Sequence, residues 1–428
     1  MEGNFFSGKI SGISNQAELN ASGNTTVLPF SQRIYNGYCI ISTGKSFQMN
    51  RRSFLKNSGL ITAGLSLTEA AMLSSIQAPA KNKLPKWKGF NLLDYFSPNP
   101  AHQRPRSTEE HFKWMRDWGF DFVRLPMAYP NYLDFDRSRN ITPDEVYKID
   151  PKKVDEIDQL VSLAHKYDIH VSLNLHRAPG YCINAGFNEP YNLWTDQAAL
   201  DAFCFHWNMW ARRYKNVSSK KISFDLLNEP SMREDMNDQH SRSSTVPGEL
   251  YRKVAQAAAI AIRNENKDHL IIADGNNVGN SIIPEIIDLN IAQSCRGYNP
   301  GAISHYKAPW ANKDPEHMPE PKWPGQVGDR YLSRQMLETY YKPWIELTQK
   351  GVGVHCGECG CWNKTPHDVF ISWFTDVLDI LGSNQIGFAT WNFIGDFGIL
   401  DSGRTDVKYE DWYGHNLDRQ LLDLLIKH

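Results

Sequence analysis

The sequence predicts an α/β fold, a closed (β/α)8 TIM barrel. Three observations carry this expectation. From Lys86 onward, short and nearly continuous apolar runs alternate with segments of helical period, the pattern of parallel strands buried on both faces. Eight such runs occur, each followed by a helical pattern. Polar residues gather at the C-terminal ends of the runs, where a barrel of this kind holds its chemistry.

The predicted strands are, in order, Gly89–Leu93, Phe120–Leu125, His170–His176, Ile222–Asn228, Leu270–Ala273, Ala302–His305, Val352–Glu358 and Ile386–Phe393. Helices fall between them. Ser107 to Glu110 reads as a capping box ahead of Phe112. Asp150-Pro151 and Thr365-Pro366 each set a cap residue before a proline at the first helical position. Leu200–Tyr214, Glu249–Arg263, Leu332–Gln349 and Leu417–Lys427 have helical periods, and a short helix is expected near Ile283–Leu289. An open doubly wound sheet is the rival. Its nucleotide-binding form needs a Gly-rich turn after the first strand, and Asn91-Leu92-Leu93-Asp94 has none.

Composition narrows the function. The 428 residues carry 46 Lys+Arg against 48 Asp+Glu, a net charge of −2, which argues against a nucleic-acid partner. Hydrophobic residues make up 41% and aromatics 12%, enough for a large core. No apolar run reaches the roughly 18 residues that cross a bilayer, so no membrane partner is expected. Residues 1–48 are rich in Ser, Asn, Gly and Thr and read as disordered or as a mis-called start. Residues 49–80 resemble a twin-arginine signal peptide: Arg51-Arg52, an apolar stretch from Gly59 to Leu67, then Ala78-Pro79-Ala80 as a cleavage site. Residues 81–428 would then be one catalytic barrel, exported to the periplasm or beyond and acting as a monomer. Cys356, Cys359 and Cys361 sit close together beside His355, but neighbouring strand residues face opposite ways, so packing is the expected role and no metal or other cofactor is assigned.

The strand ends supply the candidate site. The second strand carries Arg124, the third ends in His176, the fourth in Asn228-Glu229, the sixth in His305-Tyr306 and the seventh in Glu358, while the eighth carries Trp391. Two carboxylates at one barrel mouth suit glycoside hydrolysis, in which one protonates the leaving oxygen and the other stays ionised. Asn188-Glu189-Pro190 repeats the tripeptide at Asn228-Glu229-Pro230. It lies in a loop with no strand before it, a poorer support for an acid/base.

Phe122-Val123-Arg124-Leu125-Pro126, Leu173-Asn174-Leu175-His176, Leu226-Leu227-Asn228-Glu229-Pro230, Gly357-Glu358 and Thr390-Trp391-Asn392 resemble the second, third, fourth, seventh and eighth strands of glycoside hydrolase family 5. The resemblance covers the chain from about Lys86 to its end. It implies a retaining β-glycosidase with Glu229 as acid/base and Glu358 as nucleophile. It also implies that Asn228 bonds the sugar 2-hydroxyl, that Arg124 keeps Glu358 ionised, and that His176 and Trp391 line the reacting subsite. The family usually separates a His and a Tyr on its sixth strand by one residue, whereas His305 and Tyr306 are adjacent. The expected partner is a β-linked polysaccharide or oligosaccharide, with a β-1,4-glucan and endo action favoured over exo-glucanase or mannanase action. Tyr181, Phe187, Trp194, Trp310, Trp362 and Phe397 are candidates for stacking on sugar faces. A catalytically silent binding barrel is the alternative from another class. A metallohydrolase is disfavoured, because only His176 and His305 are placed as ligands.

Overall fold

The computed structural model describes residues 84–99, 105–184, 189–235, 238 and 240–428; the readings of residues 1–48 and 49–80, and Phe187, lie outside them. Eight parallel strands form the barrel: β1 Lys88–Asn91, β2 Phe122–Ala128, β3 His170–Ala178, β4 Ile222–Asp225, β5 Leu270–Asp274, β6 Ala292–Gly297, β7 Val354–Cys359 and β8 Gly387–Thr390. Each pairs with the next, and β8 pairs back onto β1 through Phe388, Ala389 and Thr390, so the sheet is closed. Closure removes both sheet edges.

The outer layer holds α1 Glu109–Asp117, α2 Pro151–Lys166, α3 Gln197–Arg213, α4 Gly248–Arg263, α5 Arg334–Gln349, α6 His367–Ser383 and α7 Arg419–Lys427. A 3-10 helix, Pro284–Leu289, stands between β5 and β6, where the sequence predicts its shortest helix. Asp150 caps α2 as expected, accepting from the Lys152 N–H at 2.9 Å. The first cap is one residue late: Thr108 is the N-cap of α1, and its box partner is His111. Thr365 does not cap α6, because its hydroxyl donates to the Ile303 carbonyl at 2.6 Å. Asp406 instead accepts from the His367 N–H at 2.7 Å.

One strand is misplaced in the sequence reading. Residues Gly301–Ser304 form a short helix, and the sixth strand is Ala292–Gly297, wholly buried although Gln293, Ser294 and Arg296 are polar. Its polarity is matched by partners rather than water. The Gln293 amide brackets Ile283 through that residue's N–H and carbonyl, at 2.9 and 2.8 Å. A strand whose burial rests on hydrogen bonds carries no apolar run to be read.

The barrel interior is stratified. Toward the N-terminal ends of the strands, Trp87, Phe122, His170 and His355 form an aromatic floor, with Trp87 on His170 at 3.9 Å and Phe122 near His355 at 4.5 Å. Burial holds both histidines neutral, at about 3. Asn91, Arg124, Asp225, Asp274 and Arg296 are buried in the same interior and bond to one another. Trp207, Trp210, Trp344 and Trp373 fill the space between helices and sheet. The six described cysteines are free and buried, and the thiols of Cys356, Cys359 and Cys361 point at the carbonyls of Glu358, Ala389 and Ile303. Among the described residues no group of His, Cys, Asp and Glu is arranged to hold a metal ion, and no helix is long and apolar enough to cross a membrane.

Candidate active site

Glu358 reaches the barrel mouth because β7 is bulged. Cys356 pairs with Cys295 and Glu358 with Arg296, so Gly357 is the extra residue. The bulge reverses the in–out alternation of the strand and turns the carboxylate inward, beside Arg296. Only glycine fits there: a Cβ on residue 357 would sit 2.4 Å from the Ser294 hydroxyl.

Glu229 follows β4 in the left-handed region, with φ 48°, a conformation a side-chain-bearing residue adopts only under constraint. The constraint is visible on three sides. Its N–H donates to Asp274 at 2.9 Å, its carbonyl accepts from the Tyr181 hydroxyl at 2.7 Å, and its carboxylate accepts from Arg296 Nε at 2.9 Å. Tyr181 is therefore a support beneath the site rather than a platform for sugar.

Two buried guanidiniums organise the carboxylates. Arg124 donates to Glu358 at 2.6 Å, Asp225 at 2.6 Å, Asn228 at 2.9 Å and Asn91 at 3.1 Å. Arg296 donates to Glu229, to Glu358 at 3.2 Å, to Asn228 at 3.0 Å and to both oxygens of Asp274. Asn228 Oδ1 thus accepts from both arginines, which fixes the amide rotamer. Its NH2, 3.4 Å from His176 Nε2, is left to donate.

The charge balance sets the protonation. Burial and then Glu358 raise Glu229 to about 7, against the pull of Arg296. Burial raises Asp225 to about 7 although Arg124 and Arg296 oppose it. Burial also works against the Asp274 carboxylate, but Arg296 and Arg124 outweigh it and hold that group below its ordinary value. Burial and then Arg124 keep His176 well below the ordinary histidine range, so it presents a neutral ring.

The expected residues converge with one exception. Glu229, Glu358, His176, Trp391 and His305 all line a cavity of about 920 Å3, with Arg124 and Asn228 buried against its floor. His305 arrives from the turn after Gly301–Ser304, not from a strand, and burial lowers its pKa to about 4. Tyr306 is not in the cavity lining, and the Lys307 ammonium lies 5.6 Å from its ring centre. The strand-six tyrosine is Tyr298, whose hydroxyl donates to Glu358 at 3.3 Å. Arg296 stands two residues before it, where the family usually has histidine. Arg296-Gly297-Tyr298 is visible in the sequence as an i, i+2 pair followed by Asn299-Pro300, but it lacks the apolar run that marks a strand. Asp274 and Asp225, which the sequence reading also misses, are buried through their bonds to the two arginines.

Glu189, the rival carboxylate, lies outside the cavity. Its oxygens are 2.7 and 2.9 Å from the Tyr129 hydroxyl, and it accepts from the Gly180 N–H at 2.5 Å. Of the loop aromatics, Trp310, Trp362 and Phe397 wall one side of the cavity together with His305. Phe96, His176 and Trp391 meet edge-on or tilted within the same lining, at 4.7 to 5.4 Å. Trp194 packs on Tyr181 and Trp323 bonds Asp376, so neither takes part.

A (β/α)8 barrel with two linked carboxylates at its mouth, inside aromatic walls, is built as an O-glycosyl hydrolase. The family model Cellulase (glycosyl hydrolase family 5) matches residues 78–396, and the chain belongs to that family. Endoglucanase C of Acetivibrio thermocellus is 26% identical over 328 residues, which cover 71% of this chain and 89% of the relative. Cellodextrinase A of Ruminococcus flavefaciens is 24% identical over 307 residues, 70% and 83% of the two chains. A crystal structure of a glycoside hydrolase is 38% identical, with a TM-score of 0.71 over 80% of this chain and 99% of that one. Endoglucanase Cel5A from Thermotoga maritima shares the fold, with a TM-score of 0.60 at 22% identity over 79% and 96%.

Proposed function

We propose that this glycosidase is a retaining endo-β-1,4-glucanase that acts as a monomer, with Glu229 the acid/base and Glu358 the nucleophile. The observation that carries the reading is the asymmetry of the two carboxylates. Arg124 touches Glu358 and not Glu229, so a fixed cation lies against the carboxylate assigned as nucleophile. Glu229, raised to about 7, retains a proton near neutrality.

In that assignment Glu358 attacks the anomeric carbon while Glu229 protonates the departing glycosidic oxygen, leaving a glycosyl ester on Glu358. Glu229, now a carboxylate, takes a proton from water as water opens the ester. The Asn228 NH2 donates toward the sugar 2-hydroxyl, and Trp391 and His176 flank the reacting ring. One guanidinium reaches both carboxylates, a compact pairing that favours covalent retention over the wider gap an inverting enzyme leaves for water.

Aromatic walls on both sides of the carboxylates suit an extended chain, and the relatives named above are an endoglucanase and a cellodextrinase. Exo-glucanase and mannanase action are the alternatives. The chain reaches a polymeric substrate by twin-arginine export, on the strength of Arg51-Arg52 and Ala78-Pro79-Ala80. The barrel from about residue 81 is then the mature enzyme.

Incubation with carboxymethylcellulose, β-1,3-glucan, mannan and xylan tests the substrate, with chelator as a control. Viscosity is expected to fall on carboxymethylcellulose well before reducing ends accumulate. NMR of the first product is expected to show the β-anomer. Hydrolysis of mannan alone, or a first α-anomer, refutes the corresponding part of the reading.

A further inference from the structure

Arg296 is fully buried among the catalytic groups at a position where the family usually has histidine, and the chain makes room for it. Its aliphatic stem crosses Gly279, where a Cβ would meet Arg296 Cγ at 2.5 Å. That glycine closes a turn in which Asn277 and Val278 both have positive φ, 52° and 61°. For a β-branched residue this is a strained conformation. The Val278 N–H donates to the Pro230 carbonyl at 3.2 Å, tying the strained turn to the segment that carries Glu229.

The guanidinium bridges the two catalytic carboxylates. Nε donates to Glu229 at 2.9 Å and Nη2 to Glu358 at 3.2 Å, while Asp274 takes Nη1 at 3.0 Å and also bonds Nη2. Resting on the double-displacement reading above, the negative charge of this pair moves during the reaction. Before attack it sits on Glu358. When the Glu358–C1 bond forms and the C1–O bond to the aglycone breaks, Glu358 becomes a neutral ester, and the Glu229 proton passes to the leaving oxygen. The charge is then on Glu229. When water adds to C1 and the ester opens, the water proton goes to Glu229 and the charge returns to Glu358. Of the two catalytic carboxylates, Arg124 bonds only Glu358, whereas Arg296 bonds both.

We propose that Arg296 is a positioning residue that keeps this one migrating charge paired with the same cation in both halves of the cycle, with Asp274 holding the guanidinium in place. The groups facing Glu229 are Arg296 on β6 and Tyr298 just after it, Asp274 on β5, Glu358 on β7, Tyr181 after β3, Asn228 beside it, and His176 and Arg233 in the same cavity lining. Of the cations, only Arg296 contacts the carboxylate directly among the described residues.

The test is the pH profile of kcat/KM on an aryl β-cellobioside for wild type, Arg296→Gln, Arg296→Lys and Arg296→His. Loss of a cation in contact with a carboxylate raises its pKa by about one unit or more. Arg296→Gln is therefore expected to move the basic limb up by about one unit, while Arg296→Lys restores most of that shift. Should Arg296→Gln fail to fold, Arg296→His carries the test, since the family accommodates histidine there, and the same upward shift is expected while that ring is neutral. Limbs that coincide with wild type while the rate falls overturn the proposal and leave Arg296 a packing residue. Labelling of wild type by a 2-fluoro β-cellobioside is run alongside. Label on Glu358 with unmoved limbs refutes Arg296 alone, and no label on Glu358 refutes the retaining mechanism beneath it.

Discussion

Glu189→Gln separates the two Asn-Glu-Pro tripeptides by stability rather than by rate. Burial raises Glu189 to about 8 from an ordinary 4.5, although the Gly180 N–H, Tyr129 and Arg177 pull the other way. The folded state therefore binds a proton that the unfolded chain has already released between those two values. The stabilisation this gives is complete below pH 4.5 and is lost as pH rises toward 8. One pKa unit is worth about 1.4 kcal/mol, so the full gap sets a ceiling of about 5 kcal/mol. Water reaching a loop carboxyl reduces this, and about 1–3 kcal/mol is expected. The amide that replaces the carboxyl keeps an acceptor for the Gly180 N–H and gains a donor toward Tyr129 without titrating. With a melting entropy of about 2.1 cal/mol/K per residue over about 340 residues, each kcal/mol moves Tm by about 1.4 °C. Thermal scans at one fixed rate, taken at pH 5, 7 and 9, should show wild type losing about 1–4 °C relative to the variant between the first and last. Activity should stay within a factor of about two. Parallel Tm curves refute the buried-acid account, and a loss of rate comparable to that of Glu229→Gln refutes the assignment of the site.

Glu229→Gln should cost about 10²–10⁴ in kcat/KM on substrates with poor leaving groups and far less with 2,4-dinitrophenyl glycosides, because only the former need a proton. The wild-type basic limb should fall near pH 7, and Glu229→Gln should lack it; a limb that persists in the variant assigns the titration to another group. Glu358→Gly should be inactive and recover with added azide, yielding an α-glycosyl azide. A β-azide would place the nucleophile elsewhere. N-terminal sequencing of secreted protein should begin near Lys81, and an active exported form that retains residues 1–48 contradicts the export reading.

The parts of the fold and site that are readable from sequence share one property: their burial is apolar. Phe122-Val123-Arg124-Leu125 and Leu173-Asn174-Leu175-His176 announce strands through their leucines and valines, and the polar residue in each stands out against them. β6 does not, because Gln293 is buried through its bonds to Ile283, and Arg296 through bonds to Asp274, Glu229 and the Ser294 hydroxyl, contacts that only the fold creates. The apolar Ala302-Ile303 imitates a strand in its place and draws His305 and Tyr306 onto an element to which neither belongs. His305 still reaches the cavity, by a turn. The bulge at Gly357 is likewise invisible, since a bulge is a mismatch between two strands and has no signature in either one alone.

Closure of the barrel has a consequence for its biosynthesis. β1 is among the first described residues and its partner β8 comes late in the chain, with Phe90 in register with Thr390. The Lys88 ammonium also reaches the Ile426 carbonyl at 2.8 Å, on the last helix. Any part of this sheet that forms before β8 emerges keeps β1 as an unpaired edge. Such edges invite pairing with other chains. The interval before β8 emerges is therefore where a holding chaperone is expected to have the greatest effect on yield.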